Sequence, residues 1–157
     1  MYKRIAIVRV RSSVETRKDV NDTMKMLRLY KTNTCVIVKN TPEVNGMIAK
    51  VKDYVTWGEI DTQTMKELLL KRGRLAANKP VTDNYIKEKT KISADEFVNN
   101  FMDLRKDLRE IPGLKTFFRL NPPQKGFERA GIKKTFVQGG VLGYRKEKIN
   151  DLILRML

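Results

Sequence analysis

The chain has 157 residues, 41% of them hydrophobic, enough for one compact domain or a small domain with an elaboration. Its 33 Lys and Arg against 18 Asp and Glu give a formal charge of +15, an excess that points to a polyanionic partner, nucleic acid before an acidic membrane surface. One cysteine excludes an intramolecular disulfide and a cysteine-only zinc site, and the lack of histidine removes the commonest general base and metal ligand.

RIAIVRV at 4–10 predicts a strand with Ile5, Ile7 and Arg9 on one face and Ala6, Val8 and Val10 on the other. Val20, Met24 and Leu27, spaced i, i+4 and i+7, predict a helix over 15–30. TCVIV at 34–38 is a second, β-branched strand in which Cys35 is a small buried hydrophobe. Thr41 then caps a helix that Pro42 opens, Glu43 complements its dipole, and Val44, Ile48 and Val51 form its apolar stripe. VTWGE at 55–59 is a third strand. This β-α-β-α-β order predicts an α+β fold, a small sandwich with helices on one face of its sheet.

The continuation is helical. Asp61 caps MKELLLKR, which ends at Gly73 in an expected left-handed cap, and a weaker helix enters at Thr82. Ser93-Ala94-Asp95-Glu96 has the form of a capping box, and Phe97, Phe101, Leu104 and Leu108 continue at helical spacing up to Ile111-Pro112-Gly113. RLNPPQKGFERAGIKKTFVQGG at 119–140 has neither rhythm. A last helix places Ile149, Leu152, Ile153 and Met156 on one stripe. The expected organisation is a core over 1–60 and an extension over 61–157, made of helices 61–111, a basic loop 112–143 and a terminal helix 144–157. MYKRIAIVRV is too interrupted by charge for a signal peptide and no apolar run spans a membrane, so the chain reads as cytosolic.

Charge is uneven. Residues 1–60 carry 12 basic and 6 acidic side chains, 61–111 carry 11 and 9, and 112–157 carry 10 and 3. The two ends therefore hold the positive potential and are expected to converge on the partner. Between Lys115 and Lys134 six basic residues stand against Glu128 alone. Cations there neutralise phosphates, Pro122-Pro123 stiffens the segment, and Phe117, Phe118 and Phe127 either pack on the core or offer a base a stacking surface. Some twenty irregular residues inside a compact domain point to a binding loop. Low apolar content and like charges predict that 112–143 is mobile in the free protein.

Other chemistries fit less well. Gly139-Gly140 lacks the spacing and the Ser/Thr of a phosphate-binding P-loop, and only one helix follows it. It reads equally as a positive-φ turn or as a close approach for another backbone such as RNA. Most carboxylates sit beside cations on helix faces, as Glu67 does with Lys71, or at helix starts, and no catalytic or metal-binding constellation stands out, which leaves only a pair far apart in sequence. No metal and no cofactor are expected. The last helix is too mixed in charge for a membrane surface. Arg9, Arg11 and Ser12 with Arg17 and Lys18 form either a phosphate site or an ordinary basic strand-to-helix turn. Lys71-Arg72-Gly73-Arg74 reads as cations offsetting a helix dipole.

Several stretches together resemble a known family. YKRIAIVRVRS followed by TCVIVKNTPEVNGMIAKVKDYVTWGEI is similar to the universal large-subunit ribosomal protein thirty. LLLKRGRL, LNPPQKGFERAGIKK and GGVLGYRKEKINDLI resemble its extended archaeal type, and the last also its eukaryotic counterpart, large-subunit protein seven. The resemblance implies a β-α-β-α-β core with a three-stranded antiparallel sheet, similar to ferredoxin-like folds. It implies a non-enzymatic constituent of the large ribosomal subunit in the cytoplasm. The expected partners are large-subunit rRNA and neighbouring large-subunit proteins, with the chain monomeric in the particle, no membrane and no cofactor. An extra-ribosomal regulatory RNA- or DNA-binding module is the alternative. The candidate RNA contacts are Arg9, Arg11, Ser12, Arg17 and Lys18 at the first strand–helix junction. Arg119, Asn121, Lys125, Arg129, Lys133 and Lys134 supply the basic segment, with Gly139, Gly140, Tyr144 and Arg145 at the glycine turn.

Overall fold

The computed structural model describes residues 3–157. Strand β1 (Arg4–Arg9), helix α1 (Lys18–Met26), β2 (Thr34–Lys39), α2 (Pro42–Val51) and β3 (Val55–Glu59) follow in the predicted order. Helices α3 (Thr62–Arg72), α4 (Asp83–Thr90) and α5 (Ala94–Met102), two short strands β4 (Phe118–Arg119) and β5 (Gly143–Tyr144), and α6 (Ile149–Met156) complete the chain.

β1 lies at the centre because it is apolar on both faces and therefore finds no solvent side. It pairs antiparallel with β2 and with β3, giving the expected three-stranded core. The sheet has five strands rather than three, in the order β4-β2-β1-β3-β5. β4 joins β2 antiparallel and β5 joins β3 parallel. The two edge strands flank the segment that shows no rhythm in the sequence and escape prediction because two residues are too few to establish a period.

The two helices of the β-α-β-α-β core lie on one sheet face, as expected, and the helices of the extension cover the other. Ile5 and Ile7 pack with Val20 and Met24 of α1 and with Ile48 and Val51 of α2. Ala6 and Val8 pack with Met65, Leu68 and Leu69 of α3, Phe97 and Phe101 of α5, and the full apolar stripe of α6. Burying each such side chain contributes about 1.5–3 kcal/mol, so the larger, second layer is integral to the core.

The caps follow the sequence. Thr41, Asp61, Thr82 and Ser93 each accept a hydrogen bond from a backbone N–H three residues on. A reciprocal box sits at Asp107, whose N–H donates to Glu110 Oε1 at 3.0 Å. Two local expectations fail. Gly73 has φ −59°, not the left-handed region; its N–H donates to the Leu69 carbonyl, and a β-carbon would strike that oxygen and crowd Val81. The α5 helix stops at Met102 instead of running to Leu108, and Leu104 turns to φ 66°. The buried Arg4 side chain holds this turn: its guanidinium donates to the carbonyls of Phe101 and Lys106 at 3.1 and 2.9 Å and to Asp107 at 2.9 Å. The Phe101 carbonyl also accepts the Leu104 N–H at 3.1 Å, so Arg4 ties the non-helical turn after α5 to the first strand.

Candidate nucleic-acid interface

One row crosses the whole sheet: Phe118 of β4, Cys35 of β2, Val8 of β1, Thr56 of β3 and Gly143 of β5. Both short edge strands dock at this one end of the three-stranded core. Two of the segments nominated for RNA contact leave or enter the sheet here, 9–18 after β1 and 119–140 between β4 and β5, while Tyr144 and Arg145 lie in and just after β5 as it runs toward the other end. Val10 packs with Val141, Leu142 and Phe127, so the first strand–helix junction and the basic loop share a small apolar cluster. The two positive ends of the sequence do converge.

Two nominated arginines are not on the surface. Arg9 is 4% exposed; its Nη1 donates to the Leu29 and Tyr30 carbonyls at 2.7 and 3.0 Å and its Nε to the Arg11 carbonyl at 3.0 Å. Burial pulls its guanidinium below the usual arginine value. Arg145 is 3% exposed and forks onto Glu128 at 2.6 and 2.8 Å. It also donates to Thr56 Oγ1 at 2.9 Å and the Val141 carbonyl at 3.1 Å, and stacks 4.7 Å from the Phe136 ring centroid. Both side chains brace the turns that carry other cations. For Glu128, burial opposes the charged form, yet the Arg145 bonds outweigh it and hold the carboxyl below its ordinary value.

The remaining candidates are more open. Arg11 is half-buried against Tyr54 and donates to the Asp53 carbonyl, while Ser12, Arg17 and Lys18 are exposed. Arg119, Asn121, Lys125, Arg129, Lys133 and Lys134 are all exposed. They do not form one cluster: Arg119 lies on the β4 edge, and 125–140 lead to the opposite, β5 edge. Between them the chain crosses α6, with the N–H groups of Asn121 and Gln124 donating to the Met156 and Arg155 carbonyls. Gly139 is exposed at φ 82°, whereas Gly140 is buried with its bare face against the backbone of Lys134. The close approach at Gly140 is to its own chain. Tyr144 is 43% exposed; its hydroxyl donates to Glu59 Oε1 at 2.5 Å, and that bond, with burial second, pushes the phenol up to about 12.

Beside β4 the structure forms a groove of about 500 Å³ that the sequence alone does not reveal. Lys31, Arg72, Arg74, Lys115 and Arg119 line it and no carboxylate does. The signal for it was the Lys71-Arg72-Gly73-Arg74 quartet. Dipole neutralisation and its 2.8 Å pair with Glu67 account for Lys71, but Arg72 and Arg74 belong to the groove. Carboxylates gather at the far end of the sheet, where Glu59 pairs with Ile5. Glu59, Asp61, Asp103, Glu147 and Asp151 there outnumber Lys3, Arg4 and Lys148 around a second cleft. The carboxylates thus gather on the β3 side of that end, whereas on its β2 side Arg4, Arg28, Lys39 and Arg109 line a further cleft with Asp107 alone.

Among the described residues no group of three or more His, Cys, Asp or Glu could hold a metal ion, and no helix is long and apolar enough to cross a membrane. Cys35 is fully buried and its thiol is pushed up by burial. The family model described as ribosomal protein L30p/L7e matches residues 5–55. The chain is 52% identical over 152 residues to the large ribosomal subunit protein uL30 of Nanoarchaeum equitans, covering 97% of each. It is 51% identical over 152 residues to the protein of that name from Methanococcus maripaludis, covering 97% of this chain and 98% of the relative. With that of Methanopyrus kandleri it shares 48% over 149 residues, covering 94% and 100%.

Proposed function

Because the chain belongs to the ribosomal protein L30p/L7e family, we propose that the basic end of its sheet is the surface that holds large-subunit rRNA. The protein is a structural constituent of the large ribosomal subunit that binds its rRNA and supports the particle's assembly and shape. The family is structural rather than enzymatic. The observation that carries the surface assignment is the cation-lined groove beside β4 together with the exposed cations of 9–18 and 119–140 at the same end of the sheet.

Arg17, Lys18, Arg119, Lys125, Arg129, Lys133 and Lys134 neutralise phosphates, so recognition follows RNA shape more than base sequence. Arg9 and Arg145 position those segments from within. Neighbouring large-subunit proteins are the other partners, and one copy works in each particle, in the cytoplasm. No feature of the relatives or of the geometry favours the extra-ribosomal regulatory alternative. Salt-washed large subunits provide the test: the protein should sediment with the large subunit and leave it only at high salt. Recovery wholly in the free fraction at low salt would sink the reading.

A further inference from the structure

The groove beside β4 has a composition that phosphate binding alone does not require. Tyr30, 52% exposed, stands at its wall, and Phe117 props the ring in a T-shaped contact with centroids 5.5 Å apart and planes at 80°. Leu120, 8% exposed, contributes an apolar lining, and Asn121, exposed beside it, carries both a donor and an acceptor. Around these lie the five cations already named. Arg72 also donates to the Leu157 main-chain oxygen at 2.5 Å, and none of the other four is paired with a side-chain carboxylate among the described residues.

A braced aromatic ring inside a ring of cations is what single-stranded nucleic acid uses: bases stack on the ring while the backbone follows the charge. A duplex presents stacked, paired bases behind its phosphates and offers no free base face to Tyr30. A volume of about 500 Å³ suits one or two nucleotides rather than a helix. The bracing is built in depth. The buried Arg9 holds the Leu29 and Tyr30 carbonyls, and Leu120 N–H donates to the Asn33 carbonyl at 2.8 Å, so the turn bearing Tyr30 and Lys31 is fixed to both β1 and β4.

We infer that this groove takes an unpaired stretch of RNA, with a base stacked on Tyr30 and its flanking phosphates on Lys31, Arg74, Lys115 and Arg119. The inference rests on the rRNA-binding reading and names the kind of RNA that this part of the surface receives.

The test uses the full chain with a fluorescently labelled eight-nucleotide RNA, unpaired or annealed into a blunt duplex, in anisotropy titrations at several salt concentrations. Tyr30→Ala should weaken the unpaired RNA by about tenfold and leave the duplex and the salt slope unchanged. Tyr30→Phe should bind as the parent does. Arg74→Ala should instead flatten the slope for unpaired RNA by about 0.7. Equal affinity of parent and Tyr30→Ala for unpaired RNA, or an equal loss on the duplex, would overturn the inference; thermal melts of both variants exclude misfolding as the cause. The ribosomal reading stands or falls separately, on whether the parent chain sediments with large subunits. A parent that does so while Tyr30→Ala binds normally would remove the groove assignment alone.

Discussion

The Arg9 guanidinium donates to the Leu29 carbonyl at 2.7 Å, which makes a residue of the central strand the brace of the turn entering β2. Arg9→Ala removes three hydrogen bonds to backbone carbonyls, each with a charged donor. It is expected to lower the unfolding free energy by about 3 kcal/mol, read from the urea midpoint. Arg9→Lys should recover only part, because an ammonium lacks the fork. Parental stability with a flattened salt dependence of RNA binding would place Arg9 on phosphate instead.

Arg145 and Glu128 set an acid limit. The folded Glu128 carboxyl lies below its unfolded value, so the stability that the pair contributes is present above about pH 4.3 and is lost as pH falls through the lowered folded value. Asp107, held down chiefly by its bond to Arg4, behaves with the same sign. Thermal melts from pH 7 to 3 should show a declining midpoint, and Glu128→Gln should flatten part of that decline. At pH 7 Glu128→Ala leaves the buried Arg145 without its partner and is expected to cost about 3 kcal/mol. An unchanged acid profile in Glu128→Gln would remove the pair from the account.

These buried arginines mark where the sequence was readable and where it was not. The β-α-β-α-β order, the Thr41 cap with Pro42, and VTWGE as β3 were legible because period and cap chemistry are local. Arg9 and Arg145 look in sequence like surface cations, since nothing local reveals that Leu29 or Glu128 will stand beside them. The five-stranded sheet was illegible for a related reason: β4 and β5 are two residues each and exist only through long-range pairing. The groove joins residues from 30 to 121, and only folding brings them together.

Gly140 should tolerate substitution less well than Gly126. An added β-carbon at Gly140 meets the Lys134 backbone, while at Gly126 it meets open space and only the φ of 75° is unfavourable. Gly140→Ala is expected to destabilise by roughly 2–3 kcal/mol and Gly126→Ala by about 1 kcal/mol, measured by chemical denaturation. The reverse order would show that the turn is not packed as described.

Amide exchange of the free protein should divide 112–143 rather than treat it uniformly. The Leu120 and Val141 amides, bonded to the Asn33 and Lys134 carbonyls at 2.8 and 3.0 Å, are expected to exchange slowly. The exposed stretch at Arg129 and Lys133 is expected to exchange fast. Fast exchange at Leu120 as well would return the whole segment to the mobile loop that its composition predicts.

The central claim is that the basic end of the sheet meets RNA phosphates, and the salt dependence of large-subunit rRNA binding tests it most directly. Replacing Arg119, Lys125, Arg129 and Lys133 together with Ala should flatten the slope of log affinity against log salt by about 0.7–0.9 for each phosphate no longer neutralised. Replacing Lys87, Lys89 and Lys91, on α4 and just past it, should leave the slope unchanged. A parental slope in the first variant, or an equal flattening in the second, would contradict the account.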